Sequence, residues 1–572
     1  MSDSASYRWW ALGALLVGTF TVALSLSLLF SATPKIMPYL NASVSDVAWL
    51  SIAYALGFSV FQPILGKLAD LKGRKRFFIG GLALFTVGAA LASLSWDMLS
   101  MALFRFLQGI GAAAVFPAGM AFIGEYFVED ERGKAMGIWG IAGGAGPAIG
   151  PTLGGWILDI FGWRAIYQFS VVIGILSIIA PLFLLKESRR RRSTGIDYAG
   201  SLSLFVAAGA ILLAVSQGRT WGWLSLPTIA LFTLFAIGLV ALVLVERRGQ
   251  EPIIDLALVR SPLFLAASAT AFLSFMAFQG ALFLVPFFLM DVQHYGGSQV
   301  GFLLLPFFLP MALASPFGGW LSDRLGPKLP TLFGMALSVL ALGLLAPLRL
   351  ETPYWYVAAV SLVLGVGIAV ALPPLGKAII GAAPLPKLGA ASGIFSMVRS
   401  MGGPFGVALL TTVFAEQAAT RGREAFAGCL SSLGLSAAQV GELRQLQGLA
   451  QAGSSNLTAD QVSLLRQIGP RLQEAQDCAR LQGMLGGFEA AFLVAAGLSL
   501  VGVLTGIFVR GVPKHEARLT WTPEAEAVLE RLPKPARLRA RQEIEACARE
   551  AGVALVTPEI VRQALQGMHS RP

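Results

Sequence analysis

A chain of 572 residues with 55% hydrophobic and only 13% charged residues has too little polar surface to coat a water-soluble globule. Most of it must be solvated by the lipid bilayer. Its net charge of +11 sits largely in short clusters between apolar runs, so it reports membrane topology and implies no nucleic-acid partner.

Breaking the apolar runs at charged and Pro/Gly-rich turns predicts spans at about 9–32, 46–69, 77–95, 98–124, 134–158, 164–185, 198–217, 227–246, 263–290, 297–321, 329–348, 354–376, 389–414 and 486–509. These fourteen segments are long enough for a hydrocarbon core roughly 30 Å thick. The first run is too long for a signal-peptide core and leads straight into the next span, so it is expected to be retained. Alternate loops collect cations: Lys67, Lys72, Arg74, Lys75 and Arg76; Arg132 and Lys134; Lys186 and Arg189 to Arg192; Arg247, Arg248 and Arg260; Arg324 and Lys328. The opposite loops carry single charges such as Lys35, Arg164, Arg219 and Arg349. Cationic loops stay on the cytoplasmic side, so a multi-pass protein of the cytoplasmic (inner) membrane with both termini in the cytoplasm is expected.

Gly66, Asp70 and Gly73 recur 253 residues later as Gly319, Asp323 and Gly326. A repeat of that length predicts two parallel halves of six spans. The expected organisation is a six-span bundle over 1–188, a linker with two additional spans over 189–261, a second six-span bundle over 262–510, and a helical cytoplasmic tail domain over 511–572. An extracytoplasmic helical hairpin at 415–485 belongs to the second bundle. The fold class is therefore an all-α polytopic membrane protein.

Three motifs stand in separate spans. The first is the loop Gly66-Lys-Leu-Ala-Asp70-Leu-Lys-Gly73-Arg74-Lys75-Arg76, and the second is Arg105-Phe-Leu-Gln108-Gly109-Ile-Gly111 in span four. The third runs through Gly133, Ala142, Gly146, Pro147, Gly150, Pro151, Gly154 and Gly155 in span five. Together with the half-repeat they resemble the major facilitator superfamily, specifically its fourteen-span drug:proton antiporter branch, over about residues 8–510. The resemblance implies a secondary active transporter, not an enzyme, that exports small amphiphilic compounds, drugs or lipid-like molecules, by alternating access. An uncoupled uptake carrier of the same fold and a non-transporting receptor are the competing classes.

Each motif also has its own physical reading. Asp70 beside cations and helix N-termini suits a latch between bundles, with Gly66, Gly73, Arg74 and Lys75 around it and Asp323 and Arg324 in the second half. Glu125 and Arg132 resemble a family charge pair that serves the same latch. A guanidinium inside a span is costly and faces a bundle interior or a wet cavity, which makes Arg105 the leading functional residue. Arg399, Gln108, Gln279, Phe278 and Phe283, with Phe275 and Met276 nearby, complete the expected substrate cavity. Arg105 is expected to favour neutral or anionic ligands over cations. Where the family usually carries an acid in span one, this chain has Ser25. The remaining candidate titrating groups, Asp291, Glu416 and Glu489, lie near span ends.

Cys429 and Cys478 both fall in the outer segment and are expected to form a disulfide, whereas Cys547 in the tail stays reduced. The hairpin, with apolar spacing at Val440, Leu443, Leu446 and Leu449, is expected to shape the outer mouth or dock an extracytoplasmic partner. Helix-start signals at Thr522-Pro523-Glu524 and Thr557-Pro558-Glu559 mark the tail. The stretch from Trp521 to Glu559 is similar to the small helical C-terminal domain of the light-independent protochlorophyllide reductase B subunit, without a catalytic constellation. No spacing in the chain suits a metal, and no cofactor is expected.

Overall fold

In lipid, a backbone group without an intramolecular partner costs several kcal/mol, so apolar runs of this length have helix as their stable form. A computed structural model of the protein describes residues 5–39, 44–188, 197–248, 259–383, 387–432, 459–509, 520–530, 537, 540–541, 544–545, 548 and 555–569. The first eight helices are α1 (Ala5–Tyr39), α2 (Val44–Lys72), α3 (Arg74–Ser93), α4 (Met98–Tyr126), α5 (Glu129–Phe161), α6 (Trp163–Leu184), α7 (Tyr198–Trp221) and α8 (Leu226–Arg248). Then come α9 (Pro262–Phe287), which runs into a π-helical turn at Phe288–Val292, α10 (Gly297–Leu303), α11 (Leu305–Leu325), α12 (Lys328–Leu345), α13 (Tyr354–Ala382), α14 (Leu388–Ser432) and α15 (Ala459–Gly506).

Local chemistry sets several of these ends. Asp97 opens α4 as a capping box, accepting the Ser100 N–H at 2.8 Å while its own N–H donates to the Ser100 hydroxyl at 3.2 Å. Asp197 opens α7 by accepting the Gly200 N–H at 2.7 Å. At the tight turns after α2 and α11, Gly73 (φ 114°) and Gly326 (φ 78°) adopt backbone conformations that side-chain-bearing residues avoid. These two glycines are related by the internal repeat, so the halves share a turn as well as a carboxylate.

Twelve helices are long and apolar enough by length and composition to cross a membrane, among the described residues. Of the other long helices, α5 and α11 are less apolar for a reason visible in their packing. Gly133, Gly137, Gly140 and Gly144 of α5 approach Gly319, Ser315 and Ala312 of α11 so closely that a Cβ at each would collide. Such faces meet protein rather than lipid and are built from small residues.

The two halves meet at two seams, α5 against α11 and α2 against α14. Under the repeat α2 corresponds to α11 and α5 to α14, so the seams exchange. They are not equally covered. The pair α7–α8 lies over the α2–α14 seam, where Leu204, Ala208 and Leu242 pack with Val60 and Met397. Phe205 meets Phe61 edge-on there at 5.5 Å.

At about 1.5 Å per residue, the 45 residues of α14 and the 48 of α15 reach roughly 70 Å, about twice a bilayer core. Their far ends therefore run on as two antiparallel arms, joined by a Cys429–Cys478 disulfide with Cα atoms 6.1 Å apart. The hairpin tip, with Val440 to Leu449, lies outside the described residues, as do Arg189 to Arg192 and Cys547.

The chain divides into two compact units, Ala14–Val509 and a second made of Met1–Gly13 with Arg510–Pro572. In the tail, α16 (Pro523–Glu530) and α17 (Pro558–His569) begin at the two Thr-Pro-Glu signals. Beside these helices the tail carries a short parallel ladder, β1 (Thr520–Trp521) with β2 (Leu555–Val556). Ladder pairing of the two Thr-Pro-Glu approaches brings both helix starts together over Ala525, Ile544, Val556 and Val561.

Two outcomes are expected. Non-reducing peptide mass spectrometry of purified protein recovers a cross-linked Cys429–Cys478 peptide; free thiols at both positions would contradict the arm geometry. Because the tail has its own small core, truncation after Pro513 leaves membrane insertion and yield within about twofold of the full chain. Degradation of the truncated chain would show that the tail is needed to fold the rest.

Candidate functional site

Two carboxylates organise one face of the molecule. Asp70, near the end of α2, accepts the Ala390 N–H at the start of α14 at 3.0 Å. Its other oxygen accepts Arg74 Nε at 3.0 Å and Nη2 at 2.8 Å. Arg74 Nη1 then reaches Glu125 Oε2 at 2.6 Å. Two acids thus share one guanidinium, and the N-terminus of α14, worth about half a positive charge, offsets part of the remaining negative charge.

Asp323, near the end of α11, repeats the arrangement at the other seam. It accepts the Gly133 N–H at 2.8 Å and the Lys134 N–H at 2.7 Å, both in the second turn of α5. Lys377 Nζ pairs with it at 2.7 Å. Glycines make each approach: a Cβ on Gly66 would strike the Gly389 carbonyl, and one on Gly319 would strike that of Gly133. Each carboxylate near the end of a helix of one half therefore accepts backbone N–H groups near the start of a helix of the other.

Other residues expected near the latch are placed differently. Glu125 pairs with Arg74 and not with Arg132, which instead donates to the carbonyls of Gly124 (3.0 Å) and Phe127 (3.1 Å) and closes its own turn. Arg324 stacks on the Trp320 ring at 4.3 Å and is exposed. The Lys75 ammonium donates to the Leu182 carbonyl at 2.6 Å, tying the loop to α6.

Between the halves lies a cavity of about 230 Å³, lined from both of them. Phe58, Phe116, Trp139, Phe275, Phe278 and Phe308 supply most of its rings. Gln279, Pro147 and Arg399 also line it. Arg399 carries the cavity's one charge among its lining residues, with its guanidinium 5.0 Å from the Phe275 ring centroid and 6.0 Å from that of Phe116. Its Nε is buried without a hydrogen-bond partner.

Arg105 and Gln108 are not in this lining. Arg105 is 1% exposed, donates to Gln108 Oε1 at 2.6 Å and lies 4.5 Å from the Tyr54 ring, which stands between it and the cavity. Gln108 donates to the Ser25 hydroxyl at 3.4 Å, and Ser25 donates to that of Ser170 at 2.8 Å. Where the resemblance leads one to expect an acid, a neutral chain of hydroxyls and amide fills the space. Phe283, 42% exposed, packs at a tilt against Phe287 and is not in the cavity lining. Asp291, Glu416 and Glu489 are all exposed, and none lines the cavity. In span five, the Gly146 carbonyl accepts the Ser27 hydroxyl at 3.0 Å, and Gly150 abuts Ser27 as well, so this stretch is the packing surface for α1. Pro151 lies in α5, within the same stretch.

Sequence reasoning missed Lys377, Tyr54, Phe116 and Trp139. Only Lys377 left a signal, as a lysine at the end of an apolar run. The aromatics are indistinguishable in sequence from lipid-facing ones.

Residues 15–407 match the profile of the Major Facilitator Superfamily. Residues 521–564 match that of the Proto-chlorophyllide reductase 57 kD subunit. The chain is 35% identical over 401 residues to the multidrug resistance protein Stp of Mycobacterium tuberculosis, covering 70% of this chain and 74% of that one. It is 31% identical to the multidrug transporter protein MdtP of Bacillus subtilis, over 71% and 75% of the two chains. Over a longer stretch, 89% of this chain and 93% of the relative, it is 28% identical to the tetracenomycin C resistance and export protein of Streptomyces glaucescens. The fold is similar to that of the human organic anion transporter MFSD10 (TETRAN), with a TM-score of 0.58 at 14% identity, over 87% of this chain and 99% of that one. Profile, relatives and fold agree, and the chain, a multi-pass membrane protein and secondary transporter, belongs to the major facilitator superfamily.

Proposed function

We propose that the protein is a secondary active exporter of small amphiphilic molecules, in which two six-span halves rock about the central cavity. The observation that carries this reading is the paired latch. Asp70 and Asp323 clamp both seams at one face, so that face is closed while the aromatic cavity persists between the halves. Export rather than uptake is supported by the resistance and export proteins among its relatives. An apolar, ring-lined wall with few polar groups suits amphiphiles, whose hydrocarbon it can desolvate at little cost.

In this reading α5 and α11 cross the membrane with the other twelve, giving fourteen crossings, and the latched face is cytoplasmic because the cationic loops lie there. The halves are residues 1–188 and 262–510, with α7 and α8 in the linker 189–261 and the tail at 511–572. The arms of α14 and α15 then stand outside. One observation favours a second reading, an uncoupled facilitator: the Gln108–Ser25–Ser170 chain is neutral and the cavity lining holds no carboxylate to carry a proton. Efflux of a fluorescent neutral amphiphile into everted vesicles, with and without a proton gradient, separates the two. Accumulation only with the gradient supports coupled export; mere equilibration supports the facilitator.

The latch makes a sharper prediction. Asp70→Asn and Asp323→Asn each weaken a charge-assisted hydrogen bond worth about 1.5–3 kcal/mol, which shifts the opening of the latched face roughly ten- to hundredfold. In a Cys547→Ser background carrying Ser396→Cys in the cavity wall, a membrane-impermeant maleimide added from the cytoplasmic face should label both variants faster than the parent, with transport reduced. Unchanged labelling and transport in both would leave the loops as topology signals alone.

A further inference from the structure

We propose that Arg399 anchors the acidic head group of a singly charged anionic amphiphile, a carboxylate, sulfonate or phosphate, whose apolar body lies against the cavity rings. This rests on the reading of the cavity as the transport site. It moves the anion-binding role expected of Arg105 to a different helix.

A guanidinium in a low-dielectric cavity is tolerated only when an opposite charge, hydrogen-bond acceptors or water compensate for lost hydration. Around Arg399 the protein supplies ring faces, Phe275 at 5.0 Å and Phe116 at 6.0 Å. Ring quadrupoles offset only part of that cost. No acid lines the cavity. The carboxylates that could have served are committed elsewhere: Asp70 to Arg74 and Ala390, Glu125 to Arg74, and Asp323 to Lys377 and the turn of α5. Arg399 Nε retains a buried donor with no acceptor. A ligand anion completes it.

The neighbours suit a head group as well. Ser396 lies one turn before Arg399 on the same face of α14 and lines the same cavity. Gln279 of α9 faces that side too, since a Cβ on Gly403, one turn after Arg399, would contact its Cγ at 3.3 Å. A guanidinium flanked by a hydroxyl and an amide can give an oxyanion two or more hydrogen bonds in one plane. In the same lining, Trp139 and Phe308 offer apolar surface for the remainder of the molecule. Arg105, behind Tyr54 and bonded to Gln108, adds positive field but makes no contact with the lumen. A cation placed in this cavity meets one fixed positive charge directly and a second nearby.

The test uses the full-length protein in lipid nanodiscs and three dansylated C11 amphiphiles ending in a carboxylate, a primary amide or a trimethylammonium group. The parent is expected to bind the carboxylate about tenfold or more tighter than the amide, in line with one charge-assisted contact, and the trimethylammonium more weakly than either. Arg399→Gln should erase the preference by weakening the carboxylate about tenfold more than the amide, Arg399→Lys should keep part of it, and Arg105→Gln should keep it. Equal binding of all three by the parent, or a carboxylate preference that survives Arg399→Gln, overturns the proposal. Amide binding that Trp139→Ala weakens shows that the cavity reading stands even then. If Trp139→Ala changes none of the three affinities, the cavity is not the binding site and both readings fall.

Discussion

A carboxylate from one half bonded to backbone N–H groups in the first two turns of a helix from the other half is the contact on which the rest of the molecule is arranged. It combines three favourable features: a charge-assisted hydrogen bond, the positive end of a helix, and a buried cation that keeps the carboxylate from standing alone. The contact is local, because the helix-end charge fades within a turn. It therefore strengthens steeply as the halves close and vanishes once they part by a few ångströms. The glycine pairs Gly66–Gly389 and Gly133–Gly319 allow that closeness, since any side chain there would hold the helices apart. Having the contact twice, at two seams related by the repeat, makes closure of this face a concerted event.

Committing acids to the latch has a consequence for the cavity. Every acid bonded in the two latches is unavailable to the lumen, and Ser25 replaces the acid expected in span one by a hydroxyl in a neutral chain. Of the arginines inside the bundles, one is sealed behind Tyr54 and one opens on the lumen. The electrostatics of the site thus follow from where the carboxylates were placed as much as from where the arginines are. Aromatic rings around Arg399 make its charge tolerable without neutralising it.

The two seams share their chemistry but not their surroundings. Helices α7 and α8 pack over the α2–α14 seam, whereas α5 and α11 expose large apolar side chains such as Trp156, Leu313 and Phe317. An added helix pair therefore breaks the symmetry that the repeat establishes. At the opposite end, α14 and α15 of the second half run on well past the bilayer thickness, so the arms are continuous with that half.

Helix positions, the half-repeat, the latch carboxylates and the cysteines that pair were all legible in the sequence, because hydropathy, charge clusters and a fixed 253-residue spacing are properties of the linear chain. Even the span-one departure at Ser25 could be read there. Side-chain direction could not. Each residue turns a helix by about 100°, so Arg105 and Arg399, each near the middle or end of an apolar run, look alike until the rotation and tilt of their helices are known. The same holds for Phe278, which lines the cavity, and Phe283, which does not. Partners from distant segments were also out of reach: Asp323 finds Lys377 on α13 and the backbone of α5, and Glu125 takes Arg74 instead of the nearer Arg132. Composition decided that this chain lives in lipid and how its halves repeat; the packing of one helix against another decided which charge faces the lumen.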